Sequence, residues 1–142
     1  MAGSDRETAG RVAFFAALAD HPHEFDFYQA LRRLDALFPD HPRLGRSLRP
    51  ADDAVRLCQQ PSMAFAPATL ASCVTPKGGG RPRLSVAFGG LFGSQGPLPL
   101  HLTEYARDRI INSADPTFAR FLDIFHHRMF SLVYRQAYLF VC

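Results

Sequence analysis

The chain has 142 residues, 47% of them hydrophobic and 20% charged, with a formal net charge of +3. That length suits one core rather than two, and the balance excludes a wholly disordered chain. Fifteen of the sixteen cations are Arg, with no cluster that would mark a nucleic-acid-binding face. The Arg bias beside abundant Ala, Gly and Pro has the texture of a GC-rich bacterial genome. Three cysteines, Cys58, Cys73 and Cys142, make an odd count without metal-site spacing, which argues for a reducing compartment rather than a disulfide framework. Asp5, Glu7, Asp20, Glu24 and Asp26 interrupt the first part of the chain, so no secretory signal is evident there. Nowhere is there a run of about eighteen apolar residues. The reading is a soluble intracellular protein.

Residues 1–53 hold nine acids and seven bases. A short helix is expected over Ser4–Leu18, with Val12, Phe15 and Leu18 on one face. A stronger one follows His21-Pro22-His23, where Phe27, Leu31, Leu34 and Phe38 recur at a 3.6-residue period. Pro39 ends it, and residues 40–50 form a connector. Residues 54–103 contain no acid and most of the Gly and Pro. Period-two alternation predicts strands at Val55–Cys58, Leu70–Thr75 and Leu84–Phe88, the last two joined as a hairpin through the tip at 76–83. Short strands interrupted by Pro61, Pro67 and Pro76 predict a small antiparallel sheet.

The final part returns to helix. Thr103 is a candidate cap for a helix over Glu104–Ile111, with Leu102 hinting at an earlier start. Asp115-Pro116 is a clear start signal for a second helix. There Phe118, Leu122, Phe125, Met129, Leu132 and Val133 make a wide apolar face, with Phe121 and Phe130 beside it. The resulting fold class is α+β: N-terminal helices, a small antiparallel sheet, then C-terminal helices. The apolar face and the end at Leu139–Cys142 predict a chain that is sticky by itself.

Catalytic and ligand-binding patterns are weak. The glycines of Gly89–Gly96 could cradle a phosphate through backbone N–H groups. However, Gly96 is followed by Pro97-Leu98 where a Walker loop needs Lys and Ser or Thr, and G-x-G-x-x-G is missed. A tight loop presenting Leu91 and Phe92 is the better reading. Ser94 lies in G-S-Q-G rather than G-x-S-x-G. Asp123 and His127, four apart, are expected to pair on one helix side, or Asp123 with Arg128, rather than to hold a metal. Cys58 and Cys73 fall in strands as inert thiols. The residues support no catalytic, cofactor or metal site. The apolar, glycine- and proline-shaped segment Leu91–Leu100 reads either as a packed loop over the sheet or as a surface docked by another protein.

FGGLFGSQGPLPLHLTE (88–104) followed by FLDIFHHRMFSLVYR (121–135) resembles the TssG proteins, also called ImpH or VasB, of the type VI secretion baseplate. FDFYQALRRLDALFP (25–39), the connector at 43–67 and RLSVAF (83–88) fit the same order of segments. The loop pattern maps to Gly90, Leu91, Gly93, Gly96, Pro97, Leu98 and Pro99, with Phe92 as an apolar anchor between them. The helix pattern maps to Phe121, Leu122, Asp123, Phe125, His127, Arg128, Tyr134 and Arg135. After Tyr134-Arg135 the family tends to continue Ala-Trp, whereas this chain reads Gln136-Ala137-Tyr138.

The resemblance implies a structural, non-enzymatic subunit that assembles with TssF-like, TssK-like and TssE-like proteins into baseplate wedges. It implies a cytoplasmic location, docked on the inner membrane complex, with neither nucleic-acid binding nor membrane insertion. Family members are longer, so the chain corresponds to an N-terminal portion: 1–20 a variable helix, 21–135 family-like, 136–142 divergent. The rival readings are a phosphate- or nucleotide-binding domain built on loop 89–96 and, more remotely, a free-standing adaptor descended from such a subunit.

Overall fold

The computed structural model describes residues 2–78 and 80–141, with only the backbone of Val141. Its first helix, α1 (Ala2–Asp20), is rich in Ala and buries Phe14 and Leu18, four apart on one face. The expected face with Val12 is displaced, since Val12 is exposed and Phe15 only half-buried. Phe14 sits edge-on to Phe25 at 5.8 Å, so the helix turns that ring inward.

Helix α2 (Phe27–Leu37) follows the expected stripe closely. Asp26 caps it by accepting from the Tyr28 N–H at 3.2 Å. Phe27, Ala30, Leu31 and Leu34 are buried, and the helix stops before Phe38-Pro39.

The three strands are β1 (Arg56–Gln59), β2 (Leu70–Val74) and β3 (Arg83–Val86), in sheet order β1-β3-β2. The hairpin is present: β2 and β3 pair antiparallel, Cys73 opposite Leu84. Gly79, in its tip, lies outside the described residues. β1, however, pairs with β3 in parallel, Leu57 opposite Leu84, so the sheet is mixed rather than antiparallel. Period-two alternation dictates which side chains face the core and carries no information on strand direction. β1 takes the free edge of β3, and its own outer edge is closed by the last helix.

Helix α3 (Leu100–Ser113) begins directly after Pro99, earlier than a cap at Thr103 would give. Thr103 is buried inside it. Helix α4 (Thr117–Val141) starts where Asp115-Pro116 indicated: an Asp115 carboxylate oxygen accepts from the Thr117 N–H at 3.1 Å. The Thr117 hydroxyl and then Arg109 hold the Asp115 carboxyl at about 2, below its usual 3.8. Its contribution to stability is therefore present above 3.8 and fades as pH falls towards 2.

The inner face of α4 differs from the expected one. Ala119, Leu122, His126, His127, Phe130, Ser131 and Tyr134 are buried, whereas Phe125, Leu132 and Val133 are exposed. The helix is turned by about one residue step, ~100°, from the orientation that side-chain hydropathy alone selects. The buried imidazoles explain the difference, because each finds partners inside.

Two apolar clusters result. The larger joins Phe14 and Leu18 of α1, the α2 stripe, the sheet, and Phe130 and Tyr134 of α4. The smaller joins Phe92 with Ala106 of α3 and Ala119 and Leu122 of α4. His126 bridges them, stacked on Phe130 (5.8 Å, 17°) and 5.6 Å from the Phe92 ring. Among the described residues no helix is long and apolar enough to cross a membrane.

Candidate functional site

Polar side chains of α4, most of them at motif positions, reach three separate backbone segments. The first is β1, whose outer edge would otherwise leave N–H groups without a strand partner. His127 Nδ1 accepts from the Leu57 N–H at 3.0 Å, and an Asp123 oxygen accepts from the Gln59 N–H at 3.2 Å. Four helical residues rise about 6 Å and two strand residues about 6.6 Å, so positions 127 and 123 match alternate N–H groups of β1.

The ring nitrogens assign the tautomers. With Nδ1 accepting, His127 donates its Nε2–H to an Asp53 carboxylate oxygen at 2.7 Å. His126 is the mirror case: Nε2 accepts from the Leu91 N–H at 3.0 Å, and Nδ1 donates to Asp123 at 2.9 Å. Both nitrogens of each imidazole are thereby engaged, one as acceptor and one as donor. The partner of Asp123 is thus His126, not His127 or Arg128. An i,i+3 step brings His126 round to that carboxylate, while His127 points across to Asp53.

The second segment is the glycine loop. The Gln59 carboxamide clamps Phe92, accepting from its N–H at 2.9 Å and donating to its carbonyl at 3.1 Å. The Gly93 N–H donates to Thr103 Oγ1 at 3.0 Å. Three consecutive loop N–H groups, of Leu91, Phe92 and Gly93, therefore bond inward. Gly89 and Gly93 adopt positive φ. Gly90 is small for a different reason: a Cβ there would sit inside the Gln59 carboxamide. Phe92 is buried, Leu91 and Leu98 are half-buried, and Pro97 and Pro99 are exposed.

The third segment is the connector before β1. Arg128 donates to the Ser47 carbonyl at 3.3 Å and Arg135 to that of Gly45 at 3.4 Å. Gly45 has φ +87°, and a Cβ there would lie 2.5 Å from the Ser131 carbonyl oxygen. Tyr134 donates its hydroxyl to Asp35 at 2.7 Å, and the other Asp35 oxygen accepts from the Leu44 N–H at 3.3 Å.

The polar motif positions Asp123, His127, Arg128 and Arg135 thus hold this chain's own backbone directly, and Tyr134 does so through the Asp35 carboxylate. Among the apolar ones Leu122 is buried, while Phe121 and Phe125 are exposed with their rings edge-on at 6.0 Å. Sequence reasoning missed Asp35, Asp53, Gln59 and His126. Only His126 carried a signal, as the neighbour of a motif histidine.

Between the 60–71 segment and the glycine loop lies an open groove of about 790 Å³, lined by Gln60, Ser62, Phe65 and Phe88 among others. Among the described residues His23 is the only ionisable side chain in its wall. Among the described residues no three His, Cys, Asp or Glu side chains converge as a metal site. Cys58 and Cys73 are buried, and burial pushes the Cys73 thiol up to about 11. Cys142 lies outside the described residues. With both nitrogens of each buried imidazole engaged, dialysed protein is expected to carry no stoichiometric transition metal by elemental analysis. One equivalent of tightly held zinc would contradict the tautomers assigned above.

This arrangement coincides with a family pattern. A sequence profile described as "Type VI secretion, TssG" matches residues 21–138. The chain belongs to the TssG family. Comparison with curated proteins and with solved structures finds no match. The profile spans all three backbone segments and every α4 side chain that holds them.

In this TssG-family chain the Asp35–Tyr134 contact carries a pH signature. Burial raises the Asp35 pKa above 3.8, and the Tyr134 hydroxyl and then the Leu44 N–H oppose the rise. With the folded value above the unfolded one, the group's contribution to stability is full below 3.8 and lost as pH rises through the folded value. Tyr134→Phe removes the main opposing donor, so it should cost about 1–3 kcal/mol at neutral pH and less in acid. Urea midpoints at both pH values check this; an equal loss at both would contradict it.

Proposed function

We propose that this TssG-family chain is a structural subunit of the type VI secretion baseplate. It works by protein–protein contact, without catalysis or a cofactor, and joins TssF-like, TssK-like and TssE-like proteins in a wedge. On this reading it corresponds to the N-terminal portion of such a subunit and acts on the cytoplasmic side, docked on the inner membrane complex. The supporting observation is the division of α4. Asp123, His126, His127 and Tyr134 hold the fold from within, while Phe121, Ile124, Phe125, Leu132 and Val133 face outward. Exposed apolar side chains gathered on one helix are typical of a surface that meets another protein.

The rival reading, phosphate or nucleotide on loop 89–96, needs free backbone donors. The N–H groups of Leu91, Phe92 and Gly93 are bonded to His126, Gln59 and Thr103, and that of Gly96 to the Gly93 carbonyl. Co-expression of the chain with TssF-like, TssK-like and TssE-like proteins tests the proposal. A stable complex on size exclusion is expected, with no change in melting temperature on adding ATP or GTP. A nucleotide-dependent shift abolished by a bulky residue at Gly93, with no complex formed, would overturn it.

A further inference from the structure

The exposed side of α4 has a regular period. Phe121, Phe125, Arg128, Leu132, Arg135 and Leu139 follow one another at spacings of four, three, four, three and four, the a/d period of a coiled coil. All six are exposed; Phe121 is 56%, Phe125 54%, Leu132 42% and Leu139 55% accessible. Three apolar positions at a seven-residue interval (125, 132, 139) therefore alternate with two arginines (128, 135). Arg120 flanks the stripe, and the only acid on α4, Asp123, is turned inward to His126 and Gln59. Arg128 and Arg135 each make one long bond to a connector carbonyl, which leaves most of their five N–H donors uncommitted.

From this alternation we propose that the outer stripe of α4 docks an amphipathic helix of a partner protein, with apolar residues at one heptad core position and Asp or Glu at the other. The charges decide the occupant. A second copy running parallel would set Arg128 against Arg128 and Arg135 against Arg135. Running antiparallel, it would press Arg128 onto Leu132 and Arg135 onto Phe125, with no carboxylate in reach. Either pairing desolvates guanidinium groups without a counter-ion. A helix with acids at that position supplies one for each arginine, in the planar geometry the guanidinium prefers, while its apolar residues cover Phe125, Leu132 and Leu139. The inference deepens the assembly reading by naming the chemistry of one partner element.

The test uses the full chain and two labelled peptides of four heptads, about 28 residues. Both carry Leu at the first core position; one carries Glu and the other Lys at the second. Fluorescence anisotropy should show the Glu peptide binding about tenfold or more tightly than the Lys peptide, with the preference shrinking at high salt. R128E/R135E should reverse it. Arg128→Gln/Arg135→Gln, which removes both charges at exposed positions, should erase it with the circular dichroism spectrum unchanged. Equal binding of the two peptides, binding of neither, or a preference untouched by the Gln variant would overturn the proposal. So would a dimer of the chain dispersed by Leu132→Asp, which would assign the stripe to a second copy. Because the peptides contain no baseplate sequence, their failure beside intact co-purification strikes this inference alone, whereas failed co-purification strikes the assembly reading.

Discussion

His127→Ala should destabilise the protein by about 2–6 kcal/mol, since it strands two buried polar groups at about 1–3 kcal/mol each. The loss has two sources on opposite sides of the ring. The Leu57 N–H loses its acceptor, and the Asp53 carboxylate, already with one oxygen lacking a protein partner among the described residues, loses the donor to the other. An orphaned buried group costs more than the hydrogen bond it had contributed. A domain of this size is stabilised by only about 5–15 kcal/mol, so the variant should be marginal in equilibrium denaturation. Asp53→Ala in the His127→Ala background removes the stranded charge and should add little further loss. Strict additivity of the two substitutions would mean that the pair is not coupled.

The second large effect is expected at Gly90. Gly90→Ala puts a methyl group where the Gln59 carboxamide lies, so Gln59 must leave and both its bonds to Phe92 break. Overpacking and two lost buried hydrogen bonds together should cost about 3 kcal/mol. With Gln59→Ala already present the space is empty, and since Gly90 is not at positive φ, Gly90→Ala should then cost nothing or stabilise by up to about 1 kcal/mol. Chemical denaturation of the single and double variants measures this. A full additional loss in the double variant would show that Gly90 is needed for backbone conformation rather than for room.

The elements that side-chain hydropathy could locate are those held by apolar burial. The α2 stripe Phe27–Leu34, the β2–β3 hairpin and the α4 start at Asp115-Pro116 were legible because each has a local signature that tertiary packing left in place. The orientation of α4 was not. It depends on His126 and His127 being inside, and a polar residue reads as outward until its partners at Leu57, Leu91, Asp53 and Asp123 are known. Those partners lie up to 74 residues away along the chain. The parallel pairing of β1 was equally hidden, because its edge is closed by a helix carboxylate and imidazole rather than by a strand. The glycines of the loop were legible as a group, yet not their separate roles. Gly89 and Gly93 take positive φ, whereas Gly90 makes way for a side chain 31 positions earlier in sequence.

The family pattern and the geometry meet in α4, one face of which builds the chain's fold while the other, exposed and apolar, is the one proposed for assembly. Phe125→Asp/Leu132→Asp tests that division most directly, with melting temperature and co-purification with the TssF-like, TssK-like and TssE-like proteins read on the same preparation. Both side chains are already exposed, so the melting temperature should stay close to that of the unsubstituted chain while the complex is lost. A complex that survives both aspartates, on a chain that melts normally, would contradict the assignment of the outer face to assembly.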